Sequence, residues 1–299
     1  MKAIVTGGAG FIGSNIVDNL IELGNKVTVI DNESSDAHEQ FYWNEKATNY
    51  KYDICDYETI RHLFVDVDVV FHLAAESRIQ PAIHNPIYAT TVNTVGTCNV
   101  LQAAREANVK RVVYSSTSAA YGLSNTPPLR EDMPRDCLNP YSTSKCAGED
   151  LCKMYTDLYG LETVAFRYFN VYGARQPIKG QYAPVIGLFM RQKAEGQPMT
   201  IVGSGEQRRD FTHVDDVVMA NVLAADLENK KVIGQLFNIG TGINHSVLDL
   251  VEMIGGERTF ILPRPGEAKV SLADNSKAKL LLKWSPQVCL REWIKNENR

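Results

Sequence analysis

The sequence predicts an α/β fold: a doubly wound parallel sheet with a smaller C-terminal α/β lobe. Three observations predict it. Short apolar, β-prone runs alternate with helix-length segments through the first 170 residues. Runs such as Val67-Asp68-Val69-Val70-Phe71 are apolar enough for strands covered by helices on both faces. A glycine-rich turn, Gly7-Gly8-Ala9-Gly10-Phe11-Ile12-Gly13, separates the first strand from the first helix.

The elements follow in order. Ala3–Thr6 is the first strand, and Phe11–Leu23 carries apolar residues at helical spacing, with Gly24 as its stop. Lys26–Ile30, Val67–His72 and Arg111–Ser115 are further strands, and a long helix fills Ile87 to about Asn108. Asn139 is a good N-cap and Pro140 a good first helical residue, so a helix starts there and runs to about Tyr159, before Gly160. Thr163–Tyr168 is a strand. After Asn170 the rhythm loosens, and Gly, Pro and Gln from Gly173 to Gly205 read as loops. A helix from Asp215 to about Leu227 and a strand at Gln235–Ile239 follow, then short helices and loops from Ser246 to Arg299. Residues 1–170 with about 210–245 are expected to form the doubly wound domain, and about 171–209 and 246–299 the smaller lobe.

Composition narrows the partners. The net charge is −4 and no basic run occurs, which speaks against nucleic acid or anionic membrane as a partner. An anionic ligand therefore needs locally placed arginines. The six cysteines contain no C-x-x-C pair, so reduced thiols are expected rather than a disulfide framework or a metal site. No apolar run reaches membrane-spanning length, and the chain opens directly on a strand; a soluble, cytoplasmic protein is expected.

The glycine turn fits G-x-G-x-x-G, a weak signal alone. Its context strengthens it: a strand precedes it, a helix follows, and Asp31 ends the next strand. Glycines let the backbone approach a pyrophosphate, and the helix start offers free N–H groups. Asp31 is placed to accept from ribose hydroxyls and would repel a 2′-phosphate, so NAD is favoured over NADP. The alternative is a structural turn with a capping acid.

Tyr141-Ser142-Thr143-Ser144-Lys145 puts Tyr141 and Lys145 on one helix face. A free tyrosine titrates near pH ~10; a nearby ammonium and a positive nicotinamide would favour the phenolate and suit it as a base. Alone, such a pair is often a solvated helix face. Upstream, however, Ser115-Ser116-Thr117 ends a strand, where open α/β sheets bind ligands. The Thr117 hydroxyl could donate to a substrate oxygen; Ser115 and Ser116 also suit turn roles.

At this point the sequence resembles the extended short-chain dehydrogenase/reductase family, and within it the UDP-sugar 4-epimerases. The matching pieces run through the whole chain: Thr6 to Gly13, Asp53-Ile54, His72-Leu73-Ala74-Ala75, Asn93-Thr94-Val95-Gly96-Thr97, Ser115 to Gly122, Tyr141 to Lys145, Arg167-Tyr168-Phe169-Asn170, Arg209 to Val214, and Arg264-Pro265-Gly266-Glu267. The resemblance implies a catalytic group of Thr117, Tyr141 and Lys145. It implies NAD contacts at Gly7, Gly10, Phe11, Ile12, Gly13, Asp31, Asn32, Asp53, Ile54, Leu73, Ala74, Ala75, Asn93, Ser115, Tyr141, Lys145 and Tyr168. Substrate contacts fall to Thr117, Tyr141, Asn170, Arg209, Arg264 and Ser271, with the arginines on a UDP diphosphate and Ser271 facing the sugar's 2-substituent. Related dehydratases and decarboxylases carry an acid just after the Thr117 position; here Ser118, Ala119 and Ala120 follow. The resemblance therefore implies oxidation at sugar C4, turnover of the keto sugar and reduction, in a homodimer.

Overall fold

The computed structural model describes residues 1–38, 40–178, 184–262 and 269–298. Its centre is a seven-stranded sheet in the order Gln235–Ile239, Glu162–Tyr168, Arg111–Thr117, Val69–His72, Lys2–Thr6, Lys26–Ile30, Thr48–Tyr50. Every pairing in it is parallel. The chain winds one way from Lys2–Thr6 and then returns to its other side at Val69–His72. That reversal opens a crevice at the carboxyl ends of these two strands, the usual ligand position in such sheets. Two apolar cores cover the two faces, one around Val5, Val17, Phe71 and Phe166, the other around Ile4, Val70, Leu101 and Val112.

The helix bearing Tyr141 and Lys145 spans Pro140–Tyr159. Its start is fixed as expected: the Asn139 side chain accepts from Ser142 N at 2.9 Å, and the Ser142 hydroxyl reaches back to Asn139 N, a reciprocal cap. The helix expected at 87–108 is present but interrupted. Pro86–Thr90 and Thr97–Glu106 are α-helical, and Thr91–Gly96 between them is a π-turn.

Several elements differ from expectation. The strand begins at Val69, because Asp66 takes a left-handed conformation (φ 64°) and Asp68 turns its carboxylate to Lys2 N and Lys110 Nζ, both at 2.8 Å. The helix expected from Asp215 spans Val214–Ala224, started by His213, whose Nδ1 accepts from Asp215 N. The glycine-rich stretch read as loops contains a helix, Val185–Ala194, and a strand, Met199–Val202. Their side chains Ile186, Phe189, Met199 and Ile201 build a third core with Leu250, Val251, Ile254 and Ile294. Burial against late-chain helices decides those elements, and a local reading cannot see it.

Candidate active site

A cleft of about 770 Å³ runs across the carboxyl ends of the sheet. One arm begins at the glycine turn. Gly7 has φ +69°, and a Cβ there would lie 2.6 Å from Ala74 N. A Cβ on Gly13 would lie 2.1 Å from Gly7 O. The helix start therefore sits directly on the turn, and only glycine permits this approach. After the turn, Ser14 N donates to Gly10 O at 3.0 Å, which opens the helical bonding. The N–H groups of Phe11, Ile12 and Gly13 precede it and are available to an anion. Gly7, Gly10, Phe11, Ile12 and Gly13 all line the cleft.

Asp31 is buried at the end of its strand, where Ala9 N and Glu33 N donate to its two carboxylate oxygens at 3.1 and 2.8 Å. Burial raises its pKa, and these backbone bonds work against that rise. Each oxygen retains a lone pair for a ribose hydroxyl. Asn32, Ile54, Leu73, Ala74 and Ala75 complete this arm. The turn, the helix start and Asp31 together fit an adenine dinucleotide. Asp53 and Asn93 are not on the cleft wall. Asp53 accepts from Asn32 Nδ2 at 3.1 Å and so holds Asn32. Asn93, on the π-turn, accepts from Glu76 N (2.9 Å) and donates to Glu76 O and Ser144 Oγ (both 3.0 Å). It ties the loop after the Val69–His72 strand to the helix bearing Tyr141.

At the cleft's middle, Thr117, Tyr141 and Lys145 meet as expected. The Thr117 hydroxyl accepts from Ala119 N at 3.1 Å and acts on the neighbouring Tyr141 phenol. Tyr141's pKa is raised, by burial first and by the Glu76 carboxylate; the Thr117 hydroxyl pulls the other way. The Lys145 ammonium lies over the Tyr114 ring, 4.5 Å from its centre. Ser115 and Tyr168 are joined hydroxyl to hydroxyl at 3.1 Å, and Asn221 Nδ2 donates to Tyr168 at 2.9 Å, which fixes the wall opposite Tyr141.

Lys145 is itself pushed down to about 8, by burial first, against the charges of Cys152, Glu149 and Cys146. An unfolded lysine stays protonated to about pH 10.4. Between these values the native state binds fewer protons, so this group makes stability rise with pH. In cofactor-stripped protein, wild type should gain roughly 2 kcal/mol over Lys145→Met between pH 7.5 and 9.5. Urea denaturation at both values tests this, and a pH-independent difference would refute it.

The far arm carries Asn170, Arg209 and Ser271. Asn170 takes φ 32° and donates to Asp210 O at 2.8 Å. The Ser271 hydroxyl accepts from Asn170 Nδ2 and Asp210 N, both at 3.3 Å, leaving its own proton to donate. Arg209 is half-buried on the cleft wall, with one guanidinium nitrogen on Arg208 O at 3.0 Å. Arg264 lies outside the described residues.

Several supports were not legible beforehand. His72 is fully buried, with Nδ1 2.7 Å from Thr6 Oγ1 and Nε2 2.9 Å from Thr97 Oγ1; it locks the two strand ends that form the crevice. Glu149, Arg167 and Ser116 form a buried polar unit between the Arg111–Thr117 strand and the Pro140–Tyr159 helix. Arg78 and His38 line the dinucleotide arm. A charged residue shortly after an apolar strand was the available signal for Arg78.

Comparison with known proteins agrees with this geometry. The model of the NAD dependent epimerase/dehydratase family matches residues 3–240. A UDP-glucose 4-epimerase of Mycolicibacterium smegmatis is 38% identical, over 98% of this chain and 96% of its own. The crystal structure of the Thermotoga maritima UDP-glucose 4-epimerase with UDP-glucose superposes with a TM-score of 0.92 at 37% identity, covering 99% of this chain and 96% of that one. The UDP-N-acetylglucosamine 4-epimerase of Methanobrevibacter ruminantium, in complex with UDP-N-acetylmuramic acid, also gives 0.92, at 35% identity over 98% and 96%. With the dinucleotide arm, the Thr117–Tyr141 pair and these likenesses in place, the chain belongs to the NAD dependent epimerase/dehydratase family.

Proposed function

We propose that this NAD-dependent enzyme interconverts C4 epimers of UDP-linked sugars. One observation carries the reading. Thr117 and Tyr141 stand together in a single cleft between a dinucleotide arm and an arm bearing Asn170, Arg209 and Ser271. The absence of a carboxylate at Ser118, Ala119 and Ala120 favours epimerisation over dehydration or decarboxylation.

Bound NAD supplies reversible two-electron oxidation at the sugar's C4. Tyr141 takes the 4-hydroxyl proton as C4 is oxidised and returns it after the keto sugar has presented its other face. Thr117 holds the phenol and the substrate oxygen in line. Lys145, on the same helix face, holds the nicotinamide ribose, with Gly7, Gly10 and Gly13 at the pyrophosphate and Asp31 at the adenine ribose. Asn170, Arg209 and Arg264 anchor the diphosphate while the sugar turns. Residues 171–209 and 246–299 act as the nucleotide-sugar lobe. The exposed apolar residues Ile87, Val95, Met154 and Leu158 support a homodimer through these helices. Among the described residues no helix is long and apolar enough to cross a membrane, and the six free thiols suit a cytoplasmic setting.

The purified protein should carry a nicotinamide cofactor and convert UDP-glucose to UDP-galactose without consuming added NAD⁺. Stoichiometric accumulation of NADH would instead identify a dehydrogenase.

The sugar pocket also accepts N-acetylated sugars, because Ser271 is small and its hydroxyl proton is available. Ser271→Tyr should overpack the pocket by ~1–3 kcal/mol, lowering turnover of UDP-N-acetylglucosamine roughly 5- to 150-fold, while UDP-galactose turnover largely survives. Equal loss on both substrates would remove Ser271 as the determinant.

A further inference from the structure

Two thiols face each other at the root of the Pro140–Tyr159 helix, and neither takes part in the chemistry above. Cys137 lies two residues before the Asn139 cap, and Cys146 lies in the second turn. Their sulfurs are 3.4 Å apart, with the Cys137 thiol donating to Cys146. Both are free thiols; Cys146 is buried and Cys137 is only partly so. A disulfide holds its sulfurs at about 2.05 Å, so closure by roughly 1.4 Å would join them. The segment between them contains Tyr141 and Lys145.

We propose that Cys137 and Cys146 form a reversible disulfide whose ring encloses Tyr141 and Lys145, and that closing it slows the enzyme. The co-reactant is a low-molecular-weight disulfide. The partly exposed Cys137 attacks one of its sulfurs as the thiolate and releases one small thiol. Cys146 then displaces the second small thiol from the mixed disulfide. The two cysteines lose two electrons and two protons, and the small disulfide is reduced to two thiols. The order follows from access, and also from burial, which together with Glu149 and Cys137 holds the Cys146 thiol above its usual range.

Slowing follows from what Cys137 is attached to. Cys146 is fixed within the helix, so most of the closing movement falls on the Cys137 side. Its neighbour Asp136 donates its N–H to Ala120 O at 2.9 Å. The Asp136 carboxylate accepts from Leu123 N and Ser124 N, both at 2.8 Å. Ala120 belongs to the short turn that directly follows Thr117. On the other side, Leu138 and Asn139 line the cleft. Drawing Cys137 inward therefore shifts both the Thr117 loop and the cap before Tyr141.

The consequence for turnover rests on the functional reading above; the bond itself does not. The test treats reduced, cofactor-loaded protein with oxidised glutathione, maps non-reduced peptides by mass and follows epimerisation. The expected result is a Cys137–Cys146 cross-link, turnover lowered about 100-fold, the usual scale for a displacement near 1 Å, and recovery with dithiothreitol. Reduced Cys137→Ser should match wild type and resist the reagent. Glutathione held on Cys137 with no cross-link, a cross-link with unchanged turnover, or equal inactivation of Cys137→Ser would each overturn the proposal. Reduced wild type that fails to epimerise counts against the functional reading, while the peptide map still decides the bond.

Discussion

Tyr141→Phe should lower kcat at least ~100-fold, the contribution of a positioned acid–base group. The phenol is half-buried and held above its ordinary pKa mainly by burial, with the Thr117 hydroxyl pulling the other way. A neutral phenol at rest suits a group that must exchange a proton with substrate in both directions. Affinity for UDP should hardly change, because the phenol serves the sugar. Arg209→Ala is the natural contrast, with weakened UDP binding by about 2 kcal/mol if the guanidinium pairs with diphosphate. Steady-state kinetics paired with calorimetric UDP binding separates the two. A Tyr141→Phe enzyme with near-normal kcat would remove the tyrosine from the mechanism.

The second large effect is on stability. Glu149, 5% exposed, receives Arg167 Nε and Nη2 at 2.9 and 2.8 Å and the Ser116 hydroxyl at 2.5 Å. Arg167 is 1% exposed and lies over the Tyr121 ring, 4.5 Å from its centre. Burial works to lower its pKa, yet Glu149 and Tyr121 raise it overall. The unit joins the Arg111–Thr117 strand, the catalytic helix and the Glu162–Tyr168 strand. Glu149→Gln leaves a buried guanidinium without its counter-charge and should cost ~3–5 kcal/mol in urea denaturation. Adding Arg167→Met should restore part of that loss. A double mutant no more stable than the single one would show that the stranded charge is not the cause.

Much of the site was legible because its signals are local. The glycine turn, the Asn139-Pro140 helix start and the Tyr141–Lys145 spacing each depend on a few neighbouring residues whose conformational preferences agree. Asp31 was legible because a strand end places it. The elements after Asn170 were not legible in the same way. Val185–Ala194 and Met199–Val202 are set by burial against Leu250, Val251 and Ile294, far along the chain. Distant polar pairing hid the Glu149–Arg167 unit and the His72 lock for the same reason. Spacing places the Lys145 ammonium on the helix face of Tyr141, and the Tyr114 ring beneath it could not be read from that spacing.

The π-turn at Thr91–Gly96 has a consequence for how this chain can vary in length. A single π-turn amounts to one residue more than an α-helix needs over the same rise. Each helical residue turns the axis by about 100°, so the extra residue sets the phase between Pro86–Thr90 and Thr97–Glu106. Deleting one residue within Thr91–Gly96 would leave a smoother helix. It would also rotate one half against the other, carrying Asn93 away from Ser144 or Thr97 away from His72. Ordinary surface loops tolerate such gaps; here, where Asn93 is buried and bonded across to Ser144, the number of residues is itself inherited information.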